Sequence, residues 1–391
     1  MTFFGLFSGI FAVNKISNEI MKGDCPDDLI QEECNGNCRM EFTRCRLLCE
    51  TEYCLSICER EYDTCLNACP CGENCPEGCK NCDHPLCPEE AFPSIMVLLY
   101  TDYSQTPFVD LHNAFIIKGD GSETVQATID APNEQFLTDA KHALIKDVLY
   151  VFGAYQKIDN SFVKKVAFLD DCSFSFLDLE LTFPPHSKSS TLTFSSGNEA
   201  LICFSYSRSN PENAKTCNYF DGNEVSIAPM TTNDHLYAGL GFYNGQPTTV
   251  GSWQWDAPSL AQVEILTESG WIETGDHPIA LYGHSLIGLT DGSMLSIGGY
   301  DSIAETAATD IWRLKNDAWT ITGNLKKKVF FASALESGSS IYLVAGYGSD
   351  APIQRIDLEE TEVLGTKVIG FQPDEGVQYP VIMETTFDRC V

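Results

Sequence analysis

Thiols dominate the chemistry available to this chain, and their spacing says more than their number. Cys34, Cys38, Cys45 and Cys49 are followed by Cys54, Cys58, Cys65 and Cys69. Paired from the outside inward (34/69, 38/65, 45/58, 49/54), the positions sum to 103 each time. That is the arithmetic of an antiparallel hairpin folded about Thr51–Glu52 with every pair in register. An α-helix turns about 100° per residue, so each set of four falls in a stripe roughly 60° wide. Two helices can then be bolted face to face by disulfides Cys34–Cys69, Cys38–Cys65, Cys45–Cys58 and Cys49–Cys54. One unbroken helix would turn the second stripe roughly 200° from the first.

A second cluster follows, with Cys71, Cys75, Cys79, Cys82 and Cys87. With Cys25 it leaves six cysteines outside the hairpin, whose 15 possible pairings the sequence does not separate. Zinc is the rival chemistry, since Cys75, Cys79, Cys82 and His84 make a passable ligand set. The mirrored spacing has no zinc rationale and the 18 cysteines are an even count, so disulfides are expected. The helical stretches carry few apolar side chains, and cross-links are the usual substitute for a core in so small a unit.

Oxidised cysteines need an oxidising compartment, and the N-terminus agrees. The run Met1-Thr-Phe-Phe-Gly-Leu-Phe-Ser-Gly-Ile-Phe-Ala-Val has signal-peptide length and is too short to span a bilayer. A leader over residues 1–17 and a secreted product are expected, although the usual Lys or Arg before the apolar run is missing. No later stretch predicts membrane insertion. The net charge of −31 excludes a nucleic-acid partner, which needs a basic surface. It leaves weak calcium binding as the one cofactor reading, without an EF-hand loop to sharpen it. There is no Asn-x-Ser/Thr sequon.

Residues 18–90 read as the cysteine-rich domain: the hairpin over 34–69, then a disulfide-rich tail over 70–87. After Pro93 the texture changes to short β-runs recurring at roughly 47 residues, a length typical of propeller blades. The clearest copy begins His284-Ser-Leu-Ile-Gly-Leu-Thr-Asp-Gly-Ser-Met-Leu-Ser-Ile-Gly-Gly-Tyr300 and continues through Trp312 to Trp319. It reads as four strands, with a turn at Asp291-Gly292, Gly298-Gly299 closing the second, Trp312 on the third and Trp319 opening the fourth. The paired glycines permit positive φ or close backbone approach, and the tryptophans fill space between repeats.

These residues resemble the kelch repeat, and the resemblance covers roughly residues 91–391. It implies a mainly β fold, a β-propeller. Weaker copies start near His142, Thr191, His235 and Phe331, and the one at Leu201-Ile-Cys-Phe lacks the glycines. Ser94–Tyr103 looks like a second strand without a first, and Tyr379–Phe387 like a first strand without a second. Six blades, closed by the C-terminal strand, are therefore expected. Cys203 and Cys217 fall on consecutive strands of one blade and predict a cross-strand disulfide. Cys172 and Cys390 either pair, locking the closing strand, or stay as two buried thiols.

A propeller does not disclose its function. His142, His235 and His284 are read as recurring at one repeat position, hence structural and not a metal triad. Asp170-Asp171 and Glu359-Glu360 read as solvated turns. No Gly-x-Ser-x-Gly elbow, P-loop or His-Glu-x-x-His occurs, and the copper ligands of galactose oxidase, a kelch-type enzyme, have no counterpart that can be placed. The expectation is non-enzymatic: an extracellular matrix, coat or secreted protein that binds an extracellular protein or glycan. Contacts are expected from loops Tyr243–Trp255, with Trp253 and Trp255, and Asp301–Thr309. The rival is a secreted oxidoreductase or glycan-acting enzyme with its site at the propeller axis.

Overall fold

The computed structural model describes residues 92–99, 113–130, 140–156, 161–185, 188–207, 209–254, 260–344, 346, 352–372 and 379–391. The chain divides at Ala91/Phe92, and all described residues belong to the second unit. The leader, the helical hairpin with its four disulfides, the cysteine tail and Trp255 lie outside the described residues.

The described chain is mainly β, built from consecutive four-stranded antiparallel sheets. Sheet 1 joins β1 (Ser94–Leu99), β2 (Asn113–Lys118) and β3 (Thr124–Ala127) to the last strand, β27 (Val381–Thr385). Sheet 2 is β4 (Lys141–Ile145), β5 (Val148–Gln156), β6 (Ser161–Asp170) and β7 (Ser173–Glu180). Sheet 3 is β8 (Ser190–Thr193), β9 (Ala200–Cys203), β10 (Cys217–Phe220) and β11 (Val225–Ala228). Sheet 4 is β12 (Gly239–Tyr243), β13 (Gln246–Ser252), β14 (Leu260–Thr267) and β15 (Gly270–Glu273). A small three-stranded sheet, β16 (Leu281–Tyr282), β19 (Tyr300–Asp301) and β20 (Thr306–Ala307), flanks sheet 5. Sheet 5 itself is β17 (Ser285–Gly288), β18 (Met294–Ile297), β21 (Asp310–Lys315) and β22 (Ala318–Asn324). Sheet 6 is β23 (Ser333–Ser337), β24 (Ser340–Val344), β25 (Pro352–Glu359) and β26 (Glu362–Phe371).

Left-handed pairs make the tight hairpins: Lys146-Asp147, Asn244-Gly245 and Asn316-Asp317 all have positive φ, as type I′ turns require. This revises one expectation. Tyr243–Trp255 is not a loop, because the Asn244-Gly245 turn sends Gln246–Ser252 back as β13.

Second strands are buried on both faces. Ala200–Cys203, Met294–Ile297 and Ser340–Val344 are buried at every residue, whereas fourth strands such as β22 are largely exposed. A strand covered on both faces needs a neighbouring sheet on each side, and six buried clusters supply them. One joins sheets 1 and 2 through Leu98, Ile116, Val151 and Leu169, and others join each later pair in turn. The sixth joins sheet 6 back to sheet 1 through Tyr342, Val344, Val97 and Phe115. First strands follow the same cycle, β4 touching β8, β8 touching β12, and so on until β23 touches β27 and β27 touches β4.

Sheet 1 is completed by the chain's far end. Val381, Ile382, Met383, Glu384 and Thr385 pair antiparallel with Leu98 through Ser94. Beyond β27 the tail is tied down twice: Cys390 is disulfide-bonded to Cys172, in the β6–β7 turn of sheet 2, and its carbonyl accepts a hydrogen bond from Thr128 N. The second disulfide, Cys203–Cys217, links directly opposed residues of β9 and β10.

Cys172–Cys390 closes a 218-residue separation, for which chain entropy alone sets an upper figure of about 5 kcal/mol, and Cys390→Ser should cost about 2–5 kcal/mol. A thermal melt should show a lowered Tm with unchanged far-UV circular dichroism below the transition.

Candidate ligand-binding face

In every sheet the first strand begins, the second ends and the third begins at one end, here called the entry end. The hairpin turns lie at the other. At the entry end, two residues ahead of the first strands of sheets 3, 4, 5, 6 and 1, a belt of backbone hydrogen bonds links one sheet to the next. Tyr237 N donates to Lys188 O at 2.9 Å, Gly283 N to Tyr237 O at 2.7 Å, Phe331 N to Gly283 O at 2.6 Å, and Tyr379 N to Phe331 O at 2.7 Å. Four of these residues are left-handed, with φ of 55° at Tyr237, 67° at Gly283, 61° at Phe331 and 47° at Tyr379. Glycine adopts this conformation freely. A bulky aromatic does so at a cost of about 1–3 kcal/mol and only where its surroundings hold it there.

The belt projects an arc of aromatic rings. Tyr237 stacks on Phe331 at 4.7 Å between centroids and meets Trp253 edge-on at 5.8 Å. Tyr282 bridges Tyr237 at 6.2 Å and Tyr300 at 5.3 Å, and Phe331 meets Tyr379 at 5.4 Å. Apart from Phe331, these rings are half-buried. Two lysines complete the circle from sheets 2 and 3. The Lys188 ammonium lies 3.8 Å from the centroid of Tyr206, 4.2 Å from Trp253 and 5.5 Å from Tyr237. Lys141 sits 3.0 Å above Tyr379. Cation–π contacts of this kind are worth about 0.5–2 kcal/mol, more as water is excluded.

Trp253, expected from the sequence to make contacts, therefore stands in this arc, just past the end of β13. The Asp301–Thr309 segment lies at the same end, its turn closed by Ile303 N and Ala304 N donating to Asp301 Oδ1 at 2.8 and 2.9 Å. The belt residues were not singled out in the sequence. Their signal is an aromatic or glycine at 237, 283, 331 and 379, spaced at the repeat length.

Gly298 and Gly299 both have positive φ, and a side chain on either would collide with Val329 O or with His284. Gly153 and Gly251 lie within the second strands of sheets 2 and 4, each where the register with the third strand shifts and each facing a carbonyl of the next entry segment, Pro185 O and Leu281 O. In sheet 3 that position is Phe204, which keeps the left-handed backbone (φ 67°) without glycine. Trp312 and Trp319 lie on β21 and β22 and pack edge-on against His277 between sheets 4 and 5, at 5.5 and 4.5 Å.

The three histidines do not share one position. His142 is the second residue of β4, His235 lies four residues ahead of β12, and His284 stands immediately before β17. The repeat period places them near one another in register, but insertions ahead of each first strand differ in length. His235 Nε2 contacts Glu264 at 3.1 Å and its Nδ1 donates to Gly251 O at 2.8 Å. Burial alone would raise the Glu264 carboxyl. Hydrogen bonds from His235 and from Thr232 N and Asn233 N, with the imidazole's charge, outweigh it and hold the group at about 2. Asp171 and Glu360 occupy left-handed turn positions at the opposite end, as do the acids Asp147 and Asp317. Lys141, Lys188 and Lys326–Lys328 lie at the entry end. Among the described residues no cluster of three or more His, Cys, Asp or Glu has metal-binding geometry, and no helix is long and apolar enough to cross a membrane.

No model of a known protein family matches the chain, and no curated protein matches it by sequence. Solved structures do match in fold, 326 chains among them. One, titled "Structure of YjhT", superposes with a TM-score of 0.53 over 72% of this chain and 99% of its own, at 14% identity. At that identity the likeness concerns the fold alone.

The buried histidines generate a pH prediction. Burial holds His142 and His277 at about 4, with Lys141's charge adding to the effect at His142, and His284 at about 3, with His277 adding there. Below pH 6.5 the unfolded chain takes up protons that the folded chain refuses. The stability these groups confer is thus complete above pH 6.5 and lost as pH falls towards 4 and then 3, on the order of 3 kcal/mol for His142 at the acid limit. Tm should fall between pH 6.5 and 4. His142→Leu, the residue type at the matching Leu240 and Leu286, should flatten that slope whatever its effect at pH 7.

Proposed function

We propose that residues 92–391 form a six-bladed kelch-like β-propeller of a secreted protein, acting without catalysis as a binding platform for an extracellular protein or glycan. Sheets 1 to 6 are the blades, β27 is the closing strand, and the entry end is the ligand face. The cyclic set of inter-sheet clusters supports the propeller, as does pairing of β27 with β1. The two disulfides are what a chain matured in an oxidising compartment would carry.

The observation that carries the binding reading is the left-handed aromatic belt. Strained backbone persists where surrounding structure over-determines it, and such positions cluster at ligand sites. Here left-handed Tyr237 and Tyr379 present half-buried rings at the entry end, with Tyr282 and Trp253 packed beside them, each an apolar face, the tyrosines with a polar tip. Rings of that kind are favoured on recognition surfaces because they supply contact area at low entropic cost.

Screening the secreted chain against glycan and extracellular-protein arrays should yield a ligand. Trp253→Ala and Tyr282→Ala should each weaken it by about tenfold or more, as for aromatic hot spots. Lys146→Ala, at the hairpin end, should leave it unchanged. A ligand lost with Lys146→Ala and indifferent to Trp253→Ala would put the binding face at the other end.

A further inference from the structure

The seam between sheets 4 and 5 has an apolar part and a polar part. Tyr243, Val250, Val263, Leu286, Met294 and Leu314 form the apolar part, with Trp319 packed against it. Beside it lie His277, His284, Trp312 and Ser296. His277 touches both indoles, and its ring runs nearly parallel to that of His284, centroids 6.5 Å apart. Ser296 is the direct cross-strand partner of Trp312 and so shares its face. Both histidines are 2% exposed. Yet His277 Nε2, both ring nitrogens of His284, Ser296 Oγ and the indole Nε1 of Trp312 and Trp319 are all buried with no hydrogen-bond partner. A native interior rarely leaves one such atom unpaired, and a concentration in one seam signals a missing guest.

The donor inventory says what kind of guest. Indole N–H groups only donate, a hydroxyl can donate, and a neutral imidazole offers one donor and one acceptor. His277 Nδ1 can accept from Ile279 N at 3.1 Å, which leaves the ring proton on Nε2. The alternative, donation from Nδ1 to Ile279 O at 2.9 Å, leaves Nε2 an acceptor. A single water accepts two hydrogen bonds. It would cover the two indoles and give its own protons to bare imidazole nitrogens, with Ser296 Oγ and the remaining N–H of His284 still unpaired. A monatomic anion accepts from the indoles, the hydroxyl and one N–H of each imidazole together, leaving only one bare ring nitrogen. We propose that this seam is a binding site for a small monovalent anion of halide size, held by neutral donors. With no cation in the donor set, affinity is set by donor count and size, in a range that millimolar chloride would fill. Access is from the outer edge, where Trp319 is half-buried and Ile321, the cross-strand partner of Trp312, is exposed.

The test uses the full chain in sodium bromide, sodium chloride or sodium gluconate at one ionic strength. Bromide and chloride should raise Tm over gluconate by roughly 2–4 °C at ten times Kd, saturably. Bromide should also quench tryptophan fluorescence with a saturating component. Ser296→Ala removes an unpaired hydroxyl and should fold normally in gluconate while losing part of the halide shift. Trp319→Phe should remove most of it. Crystals soaked in bromide should give an anomalous peak in this seam, beside the indole N–H groups and Ser296 Oγ. Equal Tm in all three salts, or density for ordered water with no bromide peak there, would overturn the assignment.

Discussion

Everything in the described fold depends on second strands that are buried on both faces. A four-stranded sheet with one covered face can end a stack, but Ala200–Cys203, Met294–Ile297 and Ser340–Val344 have no exposed residue to turn to water. Each sheet then requires two neighbours, and a finite row of sheets always leaves two ends. A cycle removes the ends. The cluster of Ile95, Val97, Phe115, Tyr342 and Val344 is where sheet 6 meets sheet 1. Its existence depends on β27, since without that strand sheet 1 would lack its first strand. The Cys172–Cys390 bond ties the chain beyond β27 to the β6–β7 turn of sheet 2.

The close approach of neighbouring sheets sets the local chemistry. Entry segments pass within contact of the far end of the second strands, where Gly153, Gly251 and Gly298 stand because a side chain there would strike a carbonyl. Sheet 3 reaches the same backbone with Phe204, whose ring is buried against His235 at 5.4 Å. The neighbouring residue, Cys203, carries the cross-strand disulfide. The belt of backbone bonds at the entry end is the other consequence. It fixes the left-handed residues Tyr237, Gly283, Phe331 and Tyr379 beside which the aromatic arc is built.

Much of this was legible in the residues. An apolar strand without a predecessor at Ser94 and one without a successor at Tyr379 pointed to joined ends, and β1 and β27 do pair. Facing cysteines on consecutive strands announced Cys203–Cys217, whereas Cys172–Cys390 is separated by too many residues for spacing to decide it. Trp253 was visible as a large aromatic of an expected contact loop, and the structure sets it just past the end of β13. The belt was not, because Tyr237, Phe331 and Tyr379 acquire their meaning from φ, which residue type does not report for non-glycine positions. The histidines misled through near-equal spacing: a period locates a repeat to within a few residues, and a side chain's neighbours change with a shift of one. Tyr243–Trp255 is not a loop, because Asn244-Gly245, both left-handed, reverses the chain as a hairpin turn into strand β13.

Closure is tested most directly by amide hydrogen exchange on the native, oxidised chain. If the six sheets form one closed cycle, the amides of β27 and of its partner β1 exchange only through global opening, at the rate of the second strands of sheets 3, 5 and 6. Early exchange of β27 and β1, with sheets 2 to 5 still protected and Cys172–Cys390 intact, would contradict it and describe an open row of sheets with a loosely attached end.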